Sequence, residues 1–463
     1  MIKIMKVMRF NIIIASLAVM VLSLGSCKLG QKYVRPDMPL PENLGVTATT
    51  DTFSIADLGW WDIYTDTILQ RLIKQTMEHN KDLRIADARI KELAARKRIE
   101  FAGLFPEING SLYTQKEGLN YGGDNFKNDP EYGLKAAMSW ELDLWGNKRW
   151  ANERGKAEFM SGIENRRALT MSLVADVAQA YYELVALDHE LAIVKQTLDA
   201  RRESVRLAKL RFEGGLTSET AYQQAQVEYA RTATRVPVLE RDITMKENEI
   251  SFIAGEFPSG IERSSRIDMR LPEELPVGIP STLLERRPDI RAAEQKLIAA
   301  NAAVGVAYTN RFPRLALTGQ LGVESDEFSS LFKSPMHFLS ASLLGPLFDM
   351  GRRQSTYRAQ QAVYEQECYA YEKVVLNAFK EVRDAIVAYN KARDIYETMA
   401  QLVHASKTNM DLAQLQYING VIGYIDVLDA QRSYFDAQVG LSNAALYKRL
   451  AMVQLYKALG GGW

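Results

Sequence analysis

Two carboxylates follow a glycine-containing turn in the stretch QYINGVIGYIDVLDAQ, residues 416–431. Asp426 and Asp429 are three positions apart, and residues at that spacing share one face of a helix. Such a pair could act as an acid and a base, bind a metal ion, stabilise a helix start, or line a pore as a charged ring. No second catalytic group accompanies the pair, so the sequence disfavours catalysis.

The composition narrows the possible functions. Lys+Arg and Asp+Glu number 57 each, and a net charge of zero argues against an electrostatic grip on nucleic acid. The two cysteines, Cys27 and Cys368, form no CxxC motif, and the histidines show no metal-ligand spacing. Nucleotide-binding and serine-hydrolase motifs are absent as well. We therefore expect no enzyme activity, no metal site and no cofactor.

The first residues read as an export signal. Lys3, Lys6 and Arg9 precede the apolar run NIIIASLAVMVLSL and then LGSC. This run is shorter than the roughly 20 residues of a spanning helix, and its flanks are those of a signal peptide. We predict a lipoprotein signal over residues 1–26 and lipid on Cys27; the alternative is an ordinary signal peptide. Residues 27–60 are rich in proline and are expected to be extended.

The rest of the sequence contains an internal repeat. Four stretches recur in the same order, 205–207 positions apart: KDLRIADARI with PDIRAAEQKL, LFPEINGSLYTQ with RFPRLALTGQLG, LDLWGNKR with GPLFDMGRR, and LRFEGGLTSETAYQQAQ with LQYINGVIGYIDVLDAQ. We expect a first repeat at 61–255, a Pro- and Gly-rich linker at 256–280, and a second repeat at 281–463. Each repeat should read helix, strand, strand, long helix, turn, helix.

A 3.5-residue apolar period predicts one long coiled-coil helix in each repeat. The period extends from about residue 152 to 212, where Arg201 is the one charged interruption, and again from about 352 to 417. At 1.5 Å per residue, such helices would be roughly 90–100 Å long. They must build a long tube or rod.

Strict alternation of apolar and polar residues predicts strands instead. It is clearest in GLKAAMSWELDL and RLALTGQLGV, whereas residues 122–133 look like a loop between strands. The lengths suit outer-membrane strands, although a half-buried sheet in a soluble protein has the same pattern. Four strands per chain cannot close a barrel in lipid, so several chains must share one. Two chains would give eight strands and three would give twelve; a polar inner face favours a water-filled interior.

These residues resemble a known family over nearly the whole mature chain. LGQKYVRPDMPLP, LGWWDIYTDTILQRLIKQTMEHNKDLRIADARI, the two FP junctions, WELDLWGNKR, GPLFDMGRR and the tip turns look like a TolC-like outer-membrane factor. The resemblance is to the lipoprotein branch of tripartite efflux systems with resistance-nodulation-division (RND) pumps. It implies a homotrimer in the outer-membrane lipid, with a shared 12-stranded β-barrel above a periplasmic α-barrel. It also implies a periplasmic adaptor protein, an inner-membrane RND transporter and passive conduction of small molecules.

The resemblance assigns the aspartate pair to a gate at the periplasmic end. The family pattern of Tyr, Arg, Asp and Asp falls on Tyr417, Ile422, Asp426 and Asp429, so the basic residue is replaced by Ile422. The tip turns, with Gly214 and Gly215 in one repeat and Gly420 and Gly423 in the other, would contact the adaptor. Two alternatives stay open: a type I protein secretion conduit of the same architecture, and a structural coiled-coil lipoprotein without a pore.

Overall fold

The computed structural model of the protein describes residues 28–39, 41, 54–120, 126–264 and 280–463. The predicted leader and Cys27 lie outside the described residues. The helices are α1 (Trp60–Ile63), α2 (Thr67–His79), α3 (Lys81–Ala102), α4 (Asn147–Glu213), α5 (Glu219–Ala233), α6 (Arg235–Ala254), α7 (Pro280–Arg286), α8 (Pro288–Thr309), α9 (Arg352–Ile418) and α10 (Tyr424–Ala458). The strands are β1 (Glu107–Asn120), β2 (Phe126–Leu142), β3 (Arg314–Ser325) and β4 (Pro335–Leu344), and short 3-10 turns lie at Ile55–Asp57 and Phe328–Lys333.

The element order confirms the predicted duplication. Helix, two strands, long helix, turn and helix occur as α3-β1-β2-α4-α5-α6 and again as α8-β3-β4-α9-α10. The two copies differ after the turn, where the first copy has two helices and the second has one. The break at Thr234 has a local cause: Pro237 has no N–H to donate to the carbonyl of Ala233, and the Thr234 backbone itself stays helical. The repeat in the sequence therefore corresponds to a repeat in the structure.

The four described strands form one antiparallel sheet in the order β1-β2-β3-β4. The predicted loop at 122–133 was too long, because β2 begins at Phe126 and pairs with β1 up to Asn120. The register puts the apolar residues of neighbouring strands on one face, and the largest of them are mostly exposed: Ile108, Leu112, Leu321, Leu339 and Leu343. The predicted alternation between an apolar and a polar face is thus present in the sheet.

Both long helices are confirmed, and each has 67 residues. The first begins at Asn147, a few residues before its predicted range, the second begins at residue 352 as predicted, and each ends one residue beyond its predicted range. Most seam residues of the first copy are buried, including Leu173, Val177, Ala180, Leu184 and Val194, whereas Phe212 at the end of the seam is exposed. The equivalent positions of the second copy, such as Ala378, Val382, Ala385 and Tyr389, are buried as well. The 3.5-residue period therefore marks the helix face that packs.

The chain divides into two compact units, each drawn from both repeats. Of the described residues, the first unit holds 28–37, 89–120, 126–163 and 292–372, and so contains the sheet. The second unit holds the described residues of 38–88 and 164–291 together with 373–463, and so contains the tip turns and the main apolar core. Among the described helices, none is both long enough and apolar enough to cross a membrane.

The segment that follows Cys27 is held along the first unit by polar contacts. Arg35 donates two hydrogen bonds of 2.7 Å to the carboxylate of Glu294 in α8. The indole of Trp150 donates to the carbonyl of Leu29 at 2.6 Å, and the N–H of Leu29 donates to the carbonyl of Trp145 at 3.1 Å. These contacts fix an extended segment that lacks regular hydrogen bonding of its own.

Candidate functional site

Two matching turns join the helices at one end of the second unit. After α4, the N–H of Leu216 donates to the carbonyl of Arg211 at 2.8 Å. After α9, the N–H of Val421 donates to the carbonyl of Gln416 at 2.9 Å. Both bonds close a Schellman-type helix end, which needs a residue in the left-handed region. Gly215 and Gly420 supply it, with φ of +73° and +74°.

The other two predicted tip glycines have ordinary backbone angles. Gly214 does not have a positive φ, and Gly423 has φ −76° and ψ 162° as the residue before α10. Gly423 instead donates its N–H to the carboxylate of Asp426 at 3.0 Å. The two turns are thus each closed by a single left-handed glycine.

The two aspartates lie in the first turns of α10 and are both exposed. Asp426 accepts the hydrogen bond from Gly423 and so stabilises the helix start, which is one of the roles open to it from sequence. Asp429 accepts a 3.0 Å hydrogen bond from Arg432 one turn further along, and its side chain is 66% exposed. Both carboxylates are therefore available to solvent, and they have different partners.

Tyr417 packs against the other aromatic residue of this turn. Its ring centroid lies 5.4 Å from that of Tyr424, and the guanidinium of Arg211 lies 4.8 Å from its ring centroid. Neither tyrosine hydroxyl has a hydrogen-bond partner within the described part of the chain. Burial raises the pKa of Tyr424 to about 12, with the neighbouring Tyr417 adding to the shift. Ile422 is half-buried in the turn.

A buried ion network lies next to the aspartates and joins three helices. The carboxylate of Glu228 in α5 is 3% exposed and accepts from Arg201 of α4 at 3.0 Å and from Arg432 of α10 at 2.6 Å. Arg201 also donates to the backbone carbonyl of Glu228 at 2.9 Å and to the hydroxyl of Thr232. Arg432 thus links the exposed Asp429 to the buried Glu228.

The network holds its charges against the cost of burial. Burial alone would raise the pKa of Glu228, but the hydrogen bond from Arg432 and the charge of Arg201 bring it below its usual value. Burial lowers the pKa of Arg201, while Glu228 opposes that shift. A buried carboxylate that stays ionised needs such partners, so removing either charge should loosen this end of the unit.

Sequence reasoning named Arg201 as an interruption of the apolar seam but missed its partners. A charged residue on a buried seam needs an opposite charge nearby, and this requirement could have prompted a search for an acid. It could not have selected Glu228, which lies 27 residues away on another helix. The contribution of Arg432 was missed for the same reason, since it depends on how α10 lies against α5.

The described part of the tip contains no group of side chains arranged as a metal site. Across the described ranges, no cluster of three or more His, Cys, Asp and Glu side chains is arranged to hold a metal ion. Cys368 is a free, half-buried thiol in α9, and burial raises its pKa. The described part of the tip therefore presents charged side chains and two tight turns.

Comparison with known proteins places the chain. The model of the outer membrane efflux protein family matches residues 72–256 and again 279–461. The outer membrane protein OprJ of Pseudomonas aeruginosa is 32% identical over 457 residues, covering 96% of this chain and 94% of OprJ. The probable outer membrane lipoprotein SilC of Salmonella typhimurium is 28% identical, covering 98% of this chain and 99% of SilC.

Solved structures agree with the sequence relatives. The outer-membrane channel OprN superposes with a TM-score of 0.89 at 28% identity, covering 94% of this chain and all of OprN. The fold is thus that of an outer-membrane channel, mostly helical and duplicated. With both repeats matched by one family model, the chain belongs to the outer membrane efflux protein family and is an outer-membrane efflux channel.

Proposed function

We propose that three copies of the chain form one passive channel, with a shared 12-stranded barrel and a helical tube. The observation that carries this proposal is the four-stranded sheet. In the described part of the chain, β1 and β4 each pair on one side only, and the sheet has an exposed apolar face. Unpaired strand edges are not tolerated in lipid, so copies must pair edge to edge. Two copies would fill the interior with side chains, and three would leave a lumen.

Subunit number and conductance test this proposal together. The protein purified in detergent should have the mass of three chains, and it should produce discrete channel currents in planar bilayers. A monomer stably inserted in lipid, or a trimer that never conducts, would contradict the proposal. Activity without an added energy source is expected, because the channel conducts passively.

We further propose that the tip turns receive a periplasmic adaptor, which links the channel to an inner-membrane RND pump. The turns around Gly214, Gly215, Gly420 and Gly423 support this role because they expose apolar side chains, including Leu216 and Val421 at 72% and 70% exposure. Exposed apolar residues at such a turn suit protein contact. The acyl group that we propose for Cys27 would attach next to the segment held by Trp150 and Glu294, and would add a lipid anchor to the barrel.

We also propose that the tip is the gate and that Arg432 replaces the missing basic residue at position 422. Arg432 ties α10 to α5 through Glu228, and it holds Asp429 at the same time. A closed state in this chain would then depend on an ion pair between helices and not on a basic residue in the turn. Asp426 and Asp429, repeated in three chains, would supply the ring of charge that selects cations.

Replacing Arg432 tests this gate. Arg432→Gln should raise single-channel conductance or open probability, because Glu228 loses its link to α10. Arg231, which also pairs with Glu228 but belongs to the same helix, offers a matched control. Arg231→Gln should leave conductance near that of the unmodified protein. Equal conductance in the Arg432 and Arg231 variants would remove Arg432 from the gate.

A further inference from the structure

A second charged network lies on the polar face of the sheet, far along the sequence from the aspartates at the tip. The hydroxyl of Tyr113 in β1 lies 2.8 Å from a carboxylate oxygen of Glu131 in β2 and 3.0 Å from one of Glu324 in β3. Lys135 of β2 forms an ion pair with Glu324, and its ammonium lies 4.6 Å from the Tyr113 ring centroid. Gln115 donates to Glu131 at 2.7 Å.

The strand register puts this network on one face. Tyr113 pairs with Gly133, and Gly133 pairs with Glu324, while Glu131 and Lys135 are two residues to either side of Gly133. Side chains two apart on a strand point to the same face. The ring of Tyr113 lies over Gly133 so closely that a Cβ there would overlap it. The glycine therefore fixes the tyrosine between the two carboxylates.

The network carries excess negative charge. Two carboxylates face one ammonium, and a phenol with a single proton can donate to only one carboxylate at a time. Lys135 and Glu324 keep 18% and 33% of their side-chain surface exposed. Small residues lie next to the network on this face, including Ser111, Ala137, Ser139, Ala316 and Thr318, and the larger Gln320 and Phe338 lie on the same face. The charged groups of Lys135 and Glu324 are therefore partly exposed on this face of the sheet.

We propose that Tyr113, Glu131, Lys135 and Glu324 form a second ion-selecting ring, inside the barrel and independent of the gate. This inference rests on the proposed function, because the polar face lines a lumen only when several chains close the barrel. Three copies would then contribute three uncompensated negative charges to one level of the pore. Rings of carboxylates in a narrow pore favour cations over anions. The ring would favour the passage of cationic or zwitterionic substrates.

The competing role for the network is to hold three strands together. Strand pairing depends on hydrogen bonds, so it does not predict that substitutions of the acidic and the basic residues change ion selectivity in opposite directions. A selecting ring depends on the sign of the charge instead. Neutralising a carboxylate should reduce cation preference, and neutralising the ammonium should increase it. The sign of the change therefore separates selection from strand pairing.

Ion selectivity in planar bilayers tests the inference. We would use the chain with Asp426→Ala and Asp429→Ala as the background, so that the tip does not dominate, and measure the potassium-to-chloride permeability ratio under a salt gradient. Glu131→Gln and Glu324→Gln should each lower the ratio, together by roughly twofold or more, and Lys135→Gln should raise it. Lys135→Arg keeps the charge and is the matched control.

The outcomes distinguish the inference from the function beneath it. Opposite shifts for the glutamate and lysine variants, with no shift for Lys135→Arg, support the ring. Currents with one permeability ratio in all variants overturn the ring and leave the channel proposal standing. Absence of current in the unmodified protein, as well as in the background and in every variant, overturns the channel proposal, and the ring fails with it.

Discussion

At the scale of single residues, the charge and the helix-capping role of the tip aspartates can be separated. Asp426 accepts from the N–H of Gly423, whereas Asp429 pairs with Arg432. Replacing both aspartates by asparagine removes two charges but keeps an acceptor oxygen at each position. We expect higher single-channel conductance and weaker cation selectivity, measured in planar bilayers.

The alanine pair serves as the comparison. Asp426→Ala with Asp429→Ala should change selectivity as the asparagine pair does, and should also destabilise the start of α10 because Gly423 loses its partner. Unchanged conductance and selectivity in both pairs would show that the aspartates serve the helix start alone.

Glu228 should make the tip sensitive to acid. Its pKa in the folded protein lies below its usual value, which is about 4.3 in an unfolded chain. Folding therefore favours the ionised form of Glu228. The stability that this carboxylate contributes is fully present at pH values above its pKa in the unfolded chain. This contribution is lost as the pH falls through the lowered pKa. Thermal unfolding measured between neutral and acidic pH should show a loss that Glu228→Gln largely removes.

Removing the Glu228 carboxylate should be costly at neutral pH too. Arg201, whose side chain is 8% exposed, would be left buried without its counter-charge. We expect Glu228→Ala to lower the free energy of unfolding by about 3–5 kcal/mol, as measured in denaturant. The double variant Glu228→Leu with Arg201→Met should recover part of this loss in the free energy of unfolding, because apolar side chains then replace both members of the ion pair. No recovery would mean that packing around Glu228, and not the ion pair, determines the cost.

At the scale of elements, the two tip turns depend on backbone geometry. Gly215 and Gly420 have positive φ, and a Cβ at either would meet no atom within 4 Å. Any cost of Gly215→Ala or Gly420→Ala must then come from the backbone conformation alone. We expect each substitution to lower the free energy of unfolding by about 1–2 kcal/mol, which should appear as a lower midpoint of thermal unfolding.

Gly423 provides the control for these turns. Its backbone is in the extended region that any residue can adopt, and a serine there is a favourable residue before a helix. Gly423→Ser should therefore leave stability unchanged or slightly improved. Equal losses at all three glycines would contradict the assignment of the cost to positive φ.

At the scale of the whole molecule, the regular elements were predictable and their lateral contacts were not. The 3.5-residue period found both long helices, and the period of two found the two faces of the sheet, because each period is a local property of the backbone. The end of the β1–β2 hairpin was misplaced, since polar residues such as Asn128 and Asp129 resemble a loop although they pair with β1. The Glu228 network was missed because it joins three helices.

The sheet should depend on assembly more than the helices do. In a single chain the outer edges of β1 and β4 lack partners in the described structure, whereas helix hydrogen bonds are internal to each helix. Dissociation in detergent should therefore remove strand signal from circular dichroism while most helix signal persists. Cross-linking measured in parallel would report the subunit number. Separated chains that retain the full strand signal would contradict this dependence.

The equal lengths of α4 and α9 restrict how this protein can change. Both helices have 67 residues and end in matching turns, and their packed faces repeat every 3.5 residues. A single-residue insertion in one of them would rotate every later side chain by about 100° and turn the buried face outward. Deletions or insertions of seven residues, made in both helices at once, would preserve the packing and the level of the two turns. Tube length in such a protein is expected to vary in paired steps of two helical turns.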